Sequence, residues 1–107
     1  MNLKLDYKGF EKYMIARVND TGLGGIGFRF RFENGYGASV IKNYVSNGHE
    51  EDLWELAVIY FADESDERWN LIYSTPITED VVGYLTDAGV RDVLDEIKNL
   101  PPATKIQ

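Results

Sequence analysis

The run His49-Glu50-Glu51-Asp52 has the residue types best suited to chemistry, and it contains the only histidine. Imidazole and carboxylate groups together suit metal ligation or general-base catalysis. A transition-metal site usually needs a second histidine or a cysteine, and these carboxylates adjoin the histidine instead of recurring at helical or hairpin spacing. We therefore interpret His49 as a solvated loop residue and expect no metal site and no cofactor.

A second acidic run, Asp63-Glu64-Ser65-Asp66-Glu67, carries oxygen ligands of the kind that calcium loops use. It lacks the central glycine and the distal glutamate of such a loop, so we interpret it as a solvated turn. None of the serines (Ser39, Ser46, Ser65 and Ser74) lies in an elbow motif, and no base and orienting group accompany them. The sequence therefore predicts that the protein is not an enzyme.

The glycine-rich segment from Gly22 to Gly27 has the composition of a phosphate-binding loop. A dinucleotide-binding fingerprint needs a helix directly after its glycines, and a P-loop needs Gly-Lys-Ser/Thr. Here a strand pattern follows and the segment has no lysine, so we interpret it as a flexible connection between two strands.

Arg29 and Arg31 share the polar face of that following strand. The first interpretation is that they form cross-strand ion pairs with Glu55 or another carboxylate. The alternative is a small basic ledge that binds an anion such as a nucleotide phosphate. Tyr36 and Tyr44, at predicted turns and loops, would then supply exposed aromatic contacts.

The strand that positions these arginines is the centre of the predicted fold. Ile26, Phe28, Phe30 and Phe32 alternate with polar residues, and alternation along an extended chain places them all on one core-facing side. Asn34-Gly35 then predicts a tight hairpin turn into the next strand.

Further apolar runs predict strands at residues 3–6, 12–18, 38–42, 54–61 and 69–73. Thr78 predicts the N-cap of a short helix that ends near Thr86. A longer amphipathic helix follows, which Pro101-Pro102 ends, with apolar side chains at i, i+3, i+4 and i+7 spacing: Val90, Val93, Leu94, Ile97 and Leu100. These elements predict an α+β fold: an antiparallel meander of five to six strands with the C-terminal helix, preceded by the short helix, packed on one face.

The 107 residues form one predicted domain, with a core over about residues 3–100 and a tail at 101–107. The chain has no cysteine, so disulfides and thiolate metal sites are excluded, and a cytosolic protein needs disulfides least. The N-terminus has no apolar signal core, and no run approaches the roughly 20 apolar residues of a membrane helix. We expect no membrane contact and a cytoplasmic location.

Charge is distributed unevenly along the chain, whose net charge is −7. Residues 1–49 carry seven basic and four acidic side chains, a balance of +3, whereas residues 50–107 carry four basic and fourteen acidic ones, a balance of −10. An acidic surface repels nucleic-acid phosphates, so we expect no direct nucleic-acid binding. Attraction to a basic protein surface is favoured instead.

Three segments carry a resemblance to a known group of proteins: NGYGASVI at residues 34–41, LWELAV at 53–58 and TPITEDVVGYLT at 75–86. Together they resemble a family of small uncharacterised proteins encoded by bacteriophages and prophages, over about residues 26–100. The resemblance implies a phage setting and transfers no catalytic residues. The N-terminal third and the 62–67 turn depart from the pattern.

Our leading hypothesis is a non-catalytic phage accessory protein that binds a host protein. It could inhibit a defence nuclease or another nucleic-acid-handling enzyme by presenting carboxylates where phosphates would lie. The predicted surface comprises Glu50, Glu51, Asp52, Asp63, Glu64, Asp66 and Glu67, with Asp92, Asp95 and Glu96 in reserve.

Three other interpretations stay open. The acidic face could serve solubility alone. The protein could sequester a nucleotide or another small molecule through Arg29, Arg31, Tyr36 and Tyr44. It could also be a structural or virion-associated subunit, a homo-oligomer in which a sheet edge pairs with another copy.

Overall fold

The central hairpin forms as its sequence predicts. The computed structural model describes residues 1–19, 23–78 and 80–102, and in it β2 (Ile26–Arg31) and β3 (Tyr36–Lys42) pair antiparallel across the turn. Gly35 has a φ of 91°, which glycine adopts without the steric strain of other residues. The N–H of Phe32 donates to the Tyr36 carbonyl at 2.8 Å and closes the turn. The turn therefore sets the register of this pair.

The remaining strands extend the hairpin into a six-stranded antiparallel sheet. They are β1 (Met14–Asn19), β4 (Trp54–Phe61), β5 (Trp69–Leu71) and β6 (Val81–Leu85), and the order is β1-β2-β3-β4-β5. β3 occupies one edge of β4, while β5 pairs with residues 59–61 and β6 with residues 54–57 of the same strand. β5 and β6 therefore lie end to end along the other edge of β4.

The helix α1 (Asp87–Lys98) covers one face of the sheet and encloses the core. The side chains that alternation and helical spacing assign to the core are buried: Ile26, Phe28, Phe30, Phe32, Val90, Val93, Leu94 and Ile97. Thr86 caps the helix, because its hydroxyl accepts a hydrogen bond from the N–H of Gly89 at 3.0 Å. The predicted α+β fold with a C-terminal helix on one face is confirmed.

Asn34 in the hairpin turn also holds the end of the helix. Its side-chain amide donates to the carbonyls of Ile97, Lys98 and Leu100 at 2.8, 3.3 and 3.1 Å. Its Oδ1 accepts a hydrogen bond from the N–H of Tyr36 at 3.0 Å. The last carbonyls of a helix have few partners within it. The Ile97 carbonyl also accepts from the N–H of Leu100 at 3.1 Å, so Asn34 adds a second bond there and supplies a donor to Lys98 and to Leu100, just beyond the helix. One side chain thus connects the central hairpin to the last helix.

The predicted strand at residues 3–6 is wrong. This segment pairs with none of the described strands, although Leu5 is buried in the core. Its backbone bonds to side chains instead: the N–H of Asn2 donates to Asp52 at 2.7 Å, and the N–H of Asp6 donates to Asp87 at 3.0 Å. Because carboxylates satisfy these groups, the segment needs no neighbouring strand.

The short helix predicted from Thr78 is also wrong, since the chain forms β6 there. Val81 and Val82 are β-branched and favour an extended backbone. Because β5 pairs only with residues 59–61 of β4, residues 54–57 leave an edge that β6 can join. That edge supplies pairing partners to Val81, Val82 and Leu85, whereas a very short helix is unstable alone. Glu79, which directly follows the predicted cap Thr78, lies outside the described residues.

The other predicted elements differ from the structure only at their ends. β1 begins at Met14, after a 3₁₀ turn at Glu11–Tyr13, and β5 ends at Leu71. A strand follows the glycine-rich segment, part of which lies outside the described residues, as do residues 103–107 of the predicted tail. Within the described ranges no helix is long and apolar enough to cross a membrane.

Candidate functional site

The two predicted acidic segments lie at opposite ends of β4. Residues 50–52 precede Trp54, and residues 63–67 follow Phe61. The eight residues of this strand extend over roughly 26 Å, at about 3.3 Å per residue. The carboxylates predicted to bind a partner therefore form two separate surfaces.

The acidic turn after β4 is partly neutralised by arginines of the same chain. Arg31 donates to Asp66 at 2.9 Å and also to the backbone carbonyl of Asp63. Arg68 lies 3.4 Å from the Asp63 carboxylate. The first interpretation holds in part: Arg31 pairs with Asp66, which lies in a turn and not on a facing strand, whereas Arg29 pairs with no described carboxylate. Arg31 is not available as half of a basic ledge.

Four of the predicted glutamates have no ion-pair partner among the described residues, two at each end of β4: Glu50, Glu51, Glu64 and Glu67. All four are exposed or nearly so, and so are the reserve carboxylates on α1: Asp92, Asp95 and Glu96. Unpaired exposed carboxylates are free to meet a basic surface, so the glutamates at each end are separate candidates.

Asp52, by contrast, helps to hold the fold together. The fully buried Lys42 donates from its Nζ to Asp52 at 3.1 Å and to the Asn2 carbonyl at 2.8 Å, and it lies 4.2 Å from the centre of the Trp54 ring. A buried ammonium group needs such partners to offset its lost hydration. The hydrogen bonds from the Asn2 N–H and then from Lys42 hold the pKa of Asp52 below its ordinary value of 3.8. Asp52 therefore anchors the N-terminal segment.

His49 lies in the loop between β3 and β4, as expected, but it is half-buried and bonded to the backbone instead of fully solvated. It lies in the 3₁₀ turn His49–Glu51, and its Nδ1 is 2.6 Å from the carbonyl oxygen of Ser46. A carbonyl can only accept, so Nδ1 carries the proton. Among residues 1–19, 23–78 and 80–102, no group of three or more His, Asp or Glu side chains is placed to hold a metal ion.

Three large apolar side chains are exposed at the end of the sheet where β3 ends and β4 begins. Tyr44 and Val45 are 67% and 66% exposed, and Tyr84 of β6 is 61% exposed. Every other large apolar side chain that the structure describes is 50% exposed or less. Glu50 and Glu51 lie at the same end. We call these five residues the tip surface.

Tyr84 holds an unusual backbone conformation within this tip surface. Its φ is 58°, in the left-handed region that bulky residues rarely adopt. Its N–H donates to the Asn47 carbonyl at 3.4 Å, and a Cβ on Gly48 would lie 2.9 Å from its Cα. The pairing of β6 with β4 shifts register between Trp54 and Leu56. Such irregularities in a strand can orient a side chain for contact.

Of the two tyrosines predicted as contacts, only Tyr44 is exposed. Tyr36 is half-buried in β3 and packs edge-on against Tyr60, with ring centres 6.1 Å apart. Sequence reasoning did not single out Val45 or Tyr84. An apolar Tyr-Val pair within a polar loop was a usable signal for Val45, whereas the exposure of Tyr84 depends on the pairing of β6.

The sheet face opposite α1 carries a cleft of about 330 Å³, whose lining includes Val18, Arg29, Ser39, Ile41, Asn43 and Trp69. Arg29 is the one predicted ligand residue in this cleft, because Arg31 is paired, Tyr36 is packed and Tyr44 lies beyond its lining. The four predicted ligand residues therefore do not form a single site.

Comparison of the chain with protein-family models, curated proteins and solved structures gives no match. The resemblance to small bacteriophage proteins stays a prediction. Two places among the described residues have side chains that do not stabilise the fold: the tip surface, with its exposed apolar side chains, and the cleft, with Arg29.

Proposed function

We propose that this chain is a non-catalytic binding protein that attaches to another protein through its tip surface. The observation that carries the proposal is the exposure of Tyr44, Val45 and Tyr84 at one end of the sheet. Aromatic side chains often supply most of the energy of a protein interface. Each of these side chains would bury substantial apolar area in a complex, at roughly 25 cal/mol per Å².

Glu50 and Glu51 give the proposed interface its charge. They have no ion-pair partner among the described residues, and the chain as a whole carries −7. Charges around an apolar centre steer the encounter and select a complementary partner. The proposed partner therefore has an apolar pocket with a basic rim, as the groove of a nucleic-acid-handling enzyme does. In the phage setting that the resemblance implies, it is a host protein and the chain is its inhibitor.

The backbone of Tyr84 supports a role in contact. A non-glycine residue in the left-handed region costs about 1 kcal/mol or more, and the exposed ring of Tyr84 gains little from the fold in return. Asparagine tolerates this region better, so a tyrosine here is not the choice that stability favours. Strain that the fold does not need is consistent with a functional side chain.

Charge reversal at the two ends of β4 tests the proposal with a matched control. The tagged chain is used to capture proteins from a bacterial host lysate, alongside E50K/E51K and the control E64K/E67K, which changes charge equally at the other end. We expect a stoichiometric partner that E50K/E51K loses and E64K/E67K retains, and whose capture weakens as salt rises. Three outcomes would reject the tip surface as the binding site. They are loss of the partner with E64K/E67K alone, equal capture of the partner by both variants, and capture of no partner from any host tested.

Substitution of Tyr84 separates binding from folding. Tyr84→Asn should leave the thermal midpoint equal or higher, because φ strain is relieved, and should weaken capture at least tenfold. Tyr73→Asn is the control, since Tyr73 is an exposed tyrosine outside the tip surface. A folded Tyr84→Asn variant that captures the partner as the unmodified chain does would contradict the proposal. Light scattering that shows stable self-association through the tip surface would favour the homo-oligomer instead.

A further inference from the structure

The cleft on the face opposite α1 contains a cation that pairs with none of the described residues. Arg29 is half-buried, and it makes no hydrogen bond or ion pair with any described residue. Arg31 and Arg91 pair with Asp66 and Asp6 respectively. In a chain of net charge −7, a half-buried guanidinium group without a carboxylate partner is unusual and needs an explanation.

Trp69 holds this guanidinium group in position. The two residues belong to β2 and β5, so two strands lie between them and their backbones are separated by about 14 Å, at roughly 4.8 Å per strand. Their side chains meet across the sheet, with the Arg29 guanidinium carbon 5.4 Å from the centre of the Trp69 ring. Stacking on an aromatic ring orients a guanidinium group and leaves its N–H edge free to bind an anion.

The other groups that line the cleft suit an anion attached to an apolar ring. No carboxylate is among the described residues that line the cleft. Ser39 is paired with Arg29 across β2 and β3, so its hydroxyl lies on the same face, and this hydroxyl has no hydrogen bond to a described residue. Val18 and Ile41 provide apolar walls. The cleft therefore has hydrogen-bond donors for an anion, on Arg29 and Ser39, next to an apolar surface for a ring.

We propose that this cleft binds a small anion that carries a planar aromatic ring, with its phosphate or carboxylate group on Arg29 and Ser39 and its ring against the apolar walls. The volume of about 330 Å³ lies near the lower end of ligand pockets, which span roughly 300–1,000 Å³. It accommodates one ring system with one anionic group, the size of a nucleoside monophosphate. This site is separate from the tip surface and does not rest on the protein-binding proposal.

Titration with defined compounds tests this site. The probes are the four nucleoside monophosphates and 4-hydroxybenzoate, and the controls are adenosine, which lacks the anion, and inorganic phosphate, which lacks the ring. Binding is followed by calorimetry and by the NMR signals of the Trp69 indole N–H and the Arg29 Nε–H. We expect at least one probe to bind and shift both signals, with each control at least tenfold weaker. Comparison of the monophosphates with 4-hydroxybenzoate identifies which anion the cleft takes.

Two arginine variants complete the test. Arg29→Gln should weaken probe binding at least tenfold, while Arg17→Gln, the same charge change at an exposed position on β1 outside the lining, should leave it unchanged. Equal binding by both variants, or no binding of any probe to the unmodified chain, would overturn the proposal. Arg29→Gln should still capture a protein partner, so failure here is distinguishable from failure of the tip surface.

Discussion

Replacing Asn34 by alanine should detach the last turn of α1 from the central hairpin. Two of its three bonds to helix carbonyls are short and partly buried, at 2.8 and 3.1 Å, while the third is exposed and 3.3 Å long. The bond that its Oδ1 accepts from the Tyr36 N–H, at 3.0 Å and partly buried, is lost as well. Each of these three well-made bonds contributes about 1 kcal/mol net, so Asn34→Ala should lower the free energy of unfolding by about 3 kcal/mol. At about 2.1 cal/mol/K of unfolding entropy for each of 107 residues, the thermal midpoint falls by roughly 13 °C.

At neutral pH, Asn34→Asp should lower the free energy of unfolding more than Asn34→Ala does. The carboxylate keeps the acceptor for the Tyr36 N–H but offers no donor, and it faces carbonyls at the negative end of the helix dipole. This contact raises the carboxyl pKa above that of the unfolded chain, so the destabilisation grows as pH rises through about 4 and is relieved in acid, where the protonated group can donate. The charged and neutral substitutions therefore differ most at pH 7.

Urea unfolding, followed by the fluorescence of the buried Trp54, measures both variants. Asn99→Ala is the control: its amide donates to the Asp95 carbonyl of the same helix at 2.9 Å, in an exposed position. A loss of at most about 0.5 kcal/mol is expected there. The reasoning is refuted if Asn34→Ala loses no more stability than Asn99→Ala, or if Asn34→Asp is the more stable of the two Asn34 variants at pH 7.

Two further predictions concern the segment around Lys42. Because the folded-state pKa of Asp52 is depressed, its stabilising effect is present above about pH 3.8 and is lost as pH falls through the folded value. The unmodified chain should therefore be more stable than Asp52→Asn near neutral pH, and this difference should shrink in acid. A difference in thermal midpoint that does not change with pH would contradict this. Gly25→Ala should lower the thermal midpoint more than Gly9→Ala. Both glycines have positive φ, so both substitutions strain the backbone. Only on Gly25 would the added Cβ collide with the Lys42 carbonyl, because a Cβ on Gly9 would contact nothing within 4 Å. The reverse order would show that the backbone near Lys42 moves easily.

The core face of the sheet and helix could be predicted from the sequence because it depends on local periodicity. Alternation from Ile26 to Phe32 and helical spacing from Val90 to Ile97 reflect the geometry of each element alone. The Asn34-Gly35 turn is likewise local. The two errors, at residues 3–6 and after Thr78, both concern segments whose hydrogen-bond partners lie far along the chain, namely the Asp52 and Asp87 side chains and the edge of β4.

In the candidate sites, too, some features follow from local sequence and others depend on long-range contacts. Sequence alone determined the acidic balance of residues 50–107 and the place of Tyr44 in a polar loop. Only the tertiary structure decided that Arg31 is paired while Arg29 stacks on Trp69, and that Tyr84 stands exposed beside the loop after β3. Charge and periodicity are properties of the chain, but the partner of a side chain depends on which strands become neighbours, and long-range pairing is not encoded in any local pattern.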